Sequence, residues 1–300
     1  MKSNPATTPT TFDQQLEFLT QSNSSRALSQ ILRGIEKEGL RVRQSDCSLA
    51  QTPHPTALGS PLTNGWVTTD FSEALLEFIT PANNSIKSAL SCLTAEHAIA
   101  ATHLSDEVIW AASMPCQLPA DNAIPLAKYG TSNIAQMKTA YRRGLGHRYG
   151  RAMQTVAGIH YNFSLPANYW QLEAEHKNTV ADQAYINTRY LDLIRNFRRH
   201  YWLLIYLLGA SPCTDASFVQ DRCHNLQQSE TGDLFLPYAT SLRMGDLGYQ
   251  SAAQKSLFIC YNELNTYIKT LEQAMHNAYP PYNIFGLKKN GVYQQLSTSL

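Results

Sequence analysis

The spacing of apolar and polar residues changes several times along the chain, and each change predicts an element. Phe12, Leu16, Leu19, Leu28 and Ile31 lie at helical intervals across residues 12–32, with a break expected at the short polar run 22–25. Residues 34–43 read as a strand, and the Pro- and Thr-rich stretch 47–64 as a loop. Ile86, Leu90, Leu93 and Ile99 predict a helix over 85–104, followed by a short strand over 108–113. A basic segment over 132–149 is helical at least at its start. Residues 155–165 (TVAGIHYNFSL) alternate and predict a central strand. A long helix or helix pair is expected over 179–208 and a further helix over 252–276. Asn290-Gly291 is a type I′ hairpin signal between 284–287 and 292–296. Residues 1–11 read as a tail. No repeat or low-complexity linker divides the remainder, so the expectation is one α+β unit over 1–300.

Composition narrows the class of protein. Hydrophobic residues make up 43% and charged residues 16%, the balance of a folded chain rather than a disordered one. A formal net charge of +1 gives no global field to recruit nucleic acid or an anionic membrane, so anion binding must be local. The most apolar stretch, 201–210 (YWLLIYLLGA), is about half the length that spans a bilayer, and reads as a buried helix. The six cysteines are scattered without CxxC pairs, which argues against a zinc site or a disulfide scaffold. No apolar signal core stands at the N-terminus, so the expectation is a cytoplasmic protein with reduced thiols.

Against this sparse charge, five acids fall in two short segments: Glu36 and Glu38 in RGIEKEGLRV, and Asp70, Glu73 and Glu77 in WVTTDFSEALLEFITP. In a strand Glu36 and Glu38 share a face about 7 Å apart, and two such charges repel unless a cation lies between them. Hard divalent cations such as Mg²⁺ prefer carboxylate oxygens and usually arrive with phosphates. The second segment has two readings. Asp70-Phe-Ser-Glu73 fits a capping box, which would make Glu73 and Glu77 an exposed pair on a helix. Alternatively 73–79 is a strand that turns Glu77 toward Glu36 and Glu38, with Asp70 reaching in from the preceding turn.

His160 shares the face of Gly158 and Asn162 on its strand, while Ile159, Tyr161 and Phe163 cover the other. A polar face on a central strand needs partners or a ligand; a histidine satisfied within the core is the plainer reading. Lys138, Arg142, Arg143, Arg148 and Arg151 cluster within fourteen residues. Such runs are commonly solvated faces, but arginine also suits phosphate and carboxylate. Gly144-Leu-Gly146 follows no strand and matches no phosphate-binding loop. Arg195, Arg198, Arg199 and His200 read as the polar face of the apolar helix they precede. Arg243 stands in a segment with few charges, LPYATSLRMGDLGYQ, and reads as a loop arginine held for a ligand.

Together these segments resemble the proteobacterial-type glutamate–cysteine ligases. The resemblance runs through RGIEKEGLRV (33–42), WVTTDFSEALLEFITP (66–81), KYGTSN (128–133), YRRGLGHRYG (141–150), MQTVAGIHYNFSLP (153–166), LLGASP (207–212) and LPYATSLRMGDLGY (236–249), in the family's order. It implies a glutamine-synthetase-like fold, a funnel-like antiparallel sheet backed by helices. It also implies ATP as co-substrate, Mg²⁺ (or Mn²⁺) as cofactor, and ligation of the glutamate γ-carboxylate to cysteine through an acyl phosphate. By the same resemblance Glu36, Glu38, Asp70, Glu77 and His160 are metal ligands. Tyr141, Arg142 and Tyr249 are substrate-pocket residues, Arg243 and Gln154 contact the nucleotide, and Arg142 and Arg243 serve catalysis. The chain reads as the N-terminal portion of such an enzyme, because the family's later metal-ligating glutamate and phosphate-binding arginine have no counterpart after Asn290. A catalytically inactive paralogue with a binding or regulatory role, and another carboxylate–amine ligase of the same fold, are the alternatives.

Overall fold

Strand β1 (Leu32–Arg43) organises the molecule, because its two faces have different chemistry. The computed structural model describes residues 11–220, 222–248, 253 and 257–299. Helices α1 (Thr11–Thr20) and α2 (Ser22–Leu28) precede β1, and β2 (Val67–Thr69) and β3 (Leu75–Ile79) follow it. Next come α3 (Ile86–Ala101), β4 (Glu107–Ile109), α4 (Asn133–Tyr149), β5 (Ile159–Ser164), α5 (Ala167–His176) and α6 (Gln183–Leu208). The later elements are β6 (Cys213–Thr214), α7 (Ala216–Val219), β7 (Gln227–Gln228), β8 (Leu234–Phe235), α8 (Leu264–His276), β9 (Lys288–Lys289) and β10 (Val292–Tyr293). The main sheet runs β2-β3-β1, and the other side of β1 is shared by β4 near Arg41 and by β5 along residues 32–37; all these pairings are antiparallel.

Alternation along β1 places Glu36, Glu38, Leu40 and Val42 on one face. Leu40 and Val42 close that face with Leu75, Leu49, Met114 and Ile124 in the largest apolar cluster. The acids are therefore the open continuation of a buried face. Behind the sheet, Leu76 and Phe78 of β3 pack with Ala100 and Leu93 of α3. A third cluster joins α1, α2, α5 and the start of α6 through Phe18, Ala27, Tyr169 and Trp170. Arg41, fully buried on the rear face, ties the sheet to its loops: its guanidinium donates to Glu107 Oε2 at 2.6 Å, to the Thr52 and Pro53 carbonyls, and to the Glu73 carbonyl.

Several sequence expectations are corrected. The segment 155–165 is not a central strand: β5 begins only at Ile159 and, among the described residues, pairs with β1 alone. Its apolar face is open, with Ile159 68% exposed and Tyr161 58%. Periodicity sees which residues share a face but not whether the second edge of the strand has a neighbour. The stretch 201–210 is not buried either. The first half of α6 joins the third cluster, whereas Trp202 (60%), Tyr206 (69%) and Leu208 (75%) in its second half lie open. On α3, Ile86, Leu90 and Ile99 are exposed while Ala89, Glu96 and Ala100 are buried, so the face with Leu93, Glu96, His97 and Ala100 meets the sheet, His97 stacking on Phe78. The helix expected over 252–276 spans only Leu264–His276, with much of 249–256 outside the described residues. The turn forms where predicted, at Asn290 (φ 51°) and Gly291 (φ 80°), but its arms are only Lys288–Lys289 and Val292–Tyr293, and Ile284 belongs to the 3₁₀ turn Pro280–Phe285 rather than to the first arm.

Candidate active site

The capping-box reading of 70–73 fails, because residues 75–79 form strand β3. In the register of β1 with β3, Glu38 stands opposite Glu77, and in that of β1 with β5, Glu36 stands opposite His160. Directly opposed residues of an antiparallel pair share a face, so three carboxylates and an imidazole form one patch across three strands. Glu36 is held by β5: Asn162 Nδ2 donates to its Oε1 at 2.8 Å, and His160 Nδ1 lies 3.3 Å from Oε2. The Gly158 amide donates to Glu38 Oε2 at 2.5 Å.

Asp70 joins from the turn between β2 and β3, and that turn is clamped. The Tyr129 hydroxyl donates to the carbonyls of Thr69 (2.8 Å) and Asp70 (3.0 Å). Arg142 of α4 lies 4.6 Å over the Tyr129 ring, donates through Nε to the Asp70 carbonyl, and has Nη2 4.0 Å from Asp70 Oδ1. Burial holds the Tyr129 hydroxyl protonated, with its pKa pushed up to about 12.

The acids pay electrostatically for standing together. Burial first, then the charges of Asp70, Glu38 and Glu36, push the Glu77 carboxyl up to about 7. Burial, reinforced by Asp70, raises Glu38 as well, against the Gly158 amide and Arg243. Bringing like charges into low dielectric is costly unless a cation compensates them. Oxygen-rich donors beside an imidazole fit a hard divalent ion by donor chemistry and shared face. Among the described residues the acids do not converge: no group of three or more His, Cys, Asp or Glu side chains is close enough to enclose an ion outright.

A cavity of about 330 Å³ opens beside this patch, lined by Glu38, Asp70, Met153, Gln154, Val156, Arg243, Met244 and Gly245. It unites Arg243 and Gln154 with two of the acids. Arg243 sits on a single 3₁₀ turn, Leu242–Met244, rather than an open loop. Tyr141 is not brought there; it lines a separate cavity with Gly144, Arg148 and Gln295. Tyr249 lies outside the described residues.

The rest of the basic cluster is structural. Arg148 donates to Gln295 Oε1 and the Ser297 carbonyl, Arg143 to the Tyr293 carbonyl, and Arg151 to the carbonyls of Asn122 and Ile124. Gly144 serves the same docking: a Cβ there would stand 3.0 Å from Gln295 Cβ. Arg195 and Arg198 are not simply a polar face, since both contact Tyr261. Glu73, 5% exposed, bridges the amides of His54 and Lys128 at 2.8 Å each and faces away from the acid patch. Sequence reasoning passed over Tyr129 and Gly158 as site-building residues. Tyr129 gave a faint signal, as an aromatic beside lysine in a segment otherwise of small residues.

Comparison with known proteins agrees with this geometry. The glutamate-cysteine ligase family model matches residues 16–300. A glutamate–cysteine ligase of Saccharophagus degradans is 53% identical over 94% of this chain and 54% of its own length. One from Pseudomonas fluorescens is 51% identical over 96% and 54%. Among solved structures, a Francisella tularensis glutamate–cysteine ligase in complex with AMP superposes with TM-score 0.82 at 40% identity, covering 90% of this chain and 53% of that one. A bifunctional glutathione synthetase of Pasteurella multocida gives 0.71 at 27%, covering 89% and 32%. The chain thus spans about half the length of the curated relatives it matches. With a match over nearly all its residues, an acid-lined sheet face and an arginine-walled cavity, the chain belongs to the glutamate–cysteine ligase family.

Proposed function

We propose that this chain takes part in ATP- and Mg²⁺-dependent activation of the glutamate γ-carboxylate and its ligation to cysteine. The observation that carries this reading is the opposition of Glu38 to Glu77 and of Glu36 to His160 on one sheet face, at the mouth of a cavity walled by Arg243. Glu36, Glu38, Asp70, Glu77 and His160 are the residues that would hold Mg²⁺. The bound ion supplies charge neutralisation to the phosphates. Arg243 and Gln154 face the same cavity and are placed to hold a phosphate chain, Arg243 by charge and Gln154 by its amide. Arg142, fixed on Tyr129 and the Asp70 turn, keeps Asp70 at the edge of the site and offers its positive charge to a substrate carboxylate.

The reaction needs no protein nucleophile. A γ-carboxylate oxygen displaces ADP from the γ-phosphorus of ATP; the cysteine amine then attacks the acyl carbon, phosphate leaves, and the amine loses a proton. Both steps build negative charge at phosphate oxygens, which pre-positioned cations stabilise. The test is ADP release by the purified chain with ATP, Mg²⁺ and glutamate, with and without cysteine. Cysteine-stimulated release is the expected outcome; a folded sample that releases no ADP under any of these conditions contradicts the proposal. Stimulation by a different amine acceptor would move it to another ligase of the same fold.

A further inference from the structure

Gly158 lies just before β5, and its amide and carbonyl both engage Glu38: the amide donates to Glu38 Oε2 at 2.5 Å, and the Glu38 amide donates to the Gly158 carbonyl at 2.9 Å. Over the Cα of this doubly tied residue lies the guanidinium of Arg243. A Cβ built on Gly158 would stand 2.7 Å from Nη2, 2.9 Å from Nη1 and 3.1 Å from Cζ, and these are its three nearest atoms. Gly158 is not among the residues of positive φ, so its backbone accepts any L residue. What calls for glycine here is the space taken by the arginine.

Arg243 itself is held oddly. Its Nη1 atom is buried without a hydrogen-bond partner, although the residue as a whole is only half-buried. Glu38 and Arg243 also line a second cavity, of about 390 Å³, together with Lys37, Ser113, Ile159 and Leu204. The arginine therefore stands in the wall between two cavities, with donor capacity left over. A buried unpaired donor at such a wall is what an anionic ligand would satisfy.

We propose that Gly158 is a positioning residue: by lacking a side chain it seats the Arg243 guanidinium against the peptide that also holds Glu38, fixing cation and carboxylate relative to each other. The proposal rests on the ATP-binding reading, and supplies the reason why Arg243 stands where a phosphate would meet it. It also separates stability from function. The atoms an alanine Cβ would strike belong to the far end of a flexible side chain, so the fold yields cheaply while the guanidinium moves. Misplacement by about 1 Å is enough to cost up to about 100-fold in a site of this kind.

The experiment is a calorimetric titration of the full chain with ATP in excess Mg²⁺, using the parent, Gly158→Ala, Arg243→Ala and the double variant. Expected is a loss of affinity of about tenfold in each single variant, with the double variant no weaker than Arg243→Ala alone. The Gly158→Ala chain should keep the parent's melting temperature to within about 2 °C. Parent-like affinity in Gly158→Ala beside a weakened Arg243→Ala overturns the role of Gly158 and leaves the ATP reading standing. An additive double variant, or a Gly158→Ala chain that fails to fold, also overturns that role. If the parent binds no ATP, or Arg243→Ala binds as well as the parent, the ATP reading fails and the inference falls with it.

Discussion

Glu77 makes the residue-scale case. A carboxyl pushed up to about 7 by burial and three neighbouring acids destabilises a metal-free fold whenever it is charged. Glu77→Gln keeps the shape and removes the charge. In metal-free buffer above pH 7 it should therefore stabilise the chain by about 1 kcal/mol, a rise of roughly 2 °C in melting temperature. Added Mg²⁺ should narrow that gap by stabilising the parent more than the variant. Thermal unfolding with and without Mg²⁺ checks both signs, and a variant less stable than the parent in chelator would show that Glu77 is a packing residue. At this scale the sequence was informative where residues obey strand alternation: a period of two puts Glu36 and Glu38 on one face, and the register of β1 with β3 sets Glu77 opposite Glu38. It gave Tyr129 only a faint signal and Gly158 a place beside His160 but no role, because their contacts with Asp70, Glu38 and Arg243 join residues that no local period relates. For Glu73 neither the capped-helix reading nor the strand over 73–79 describes its role, because nothing nearby reveals the His54 and Lys128 amides that it bridges.

Among the elements, the joint of α5 with α6 is the most exacting. Glu173, 1% exposed, accepts from Arg189 Nε at 3.2 Å and Nη2 at 2.7 Å, and Arg189 also pairs with Asp192 at 2.5 Å. Arg189, 26% exposed, keeps its pairing with Asp192 when Glu173 is lost, so Glu173→Leu should cost about 2 kcal/mol, the worth of charged hydrogen bonds rather than of a stranded buried charge. Replacing the pair by two apolar residues should recover much of that loss. Urea unfolding of the single and double variants measures the difference, and an unchanged midpoint in Glu173→Leu would contradict the buried-pair account. Strand β1 and the Asn290-Gly291 turn were readable because alternation and turn chemistry are local signals, and the helical start of 132–149 became α4. The edge position of β5 and the exposure of the second half of α6 were not, because they depend on which surfaces other parts of the chain cover.

The whole molecule presents a surface unlike its core. The open face of β5 and the end of α6 line one cavity through Ile159, Leu204 and Leu208, beside further exposed apolar side chains such as Trp202 and Leu207. Exposed apolar surface of this kind drives association in water. The 300-residue chain should therefore elute larger than a monomer at micromolar concentration, and the paired change Trp202→Asp, Leu207→Asp should shift it toward monomer by light scattering. A parent that is monomeric at all concentrations would contradict this. No helix of the described residues is long and apolar enough to cross a membrane, so that surface is not a helical membrane span. The proposed function requires the acids gathered on one face of the sheet to hold a divalent cation. Its most direct test is Mn²⁺ binding by the purified chain, followed by the electron paramagnetic resonance signal of the free ion, in the parent and in Glu38→Gln. Saturable binding to the parent is expected, weakened tenfold or more in a variant whose circular dichroism is unchanged. Equal binding by the two chains, or none by the parent, would contradict it.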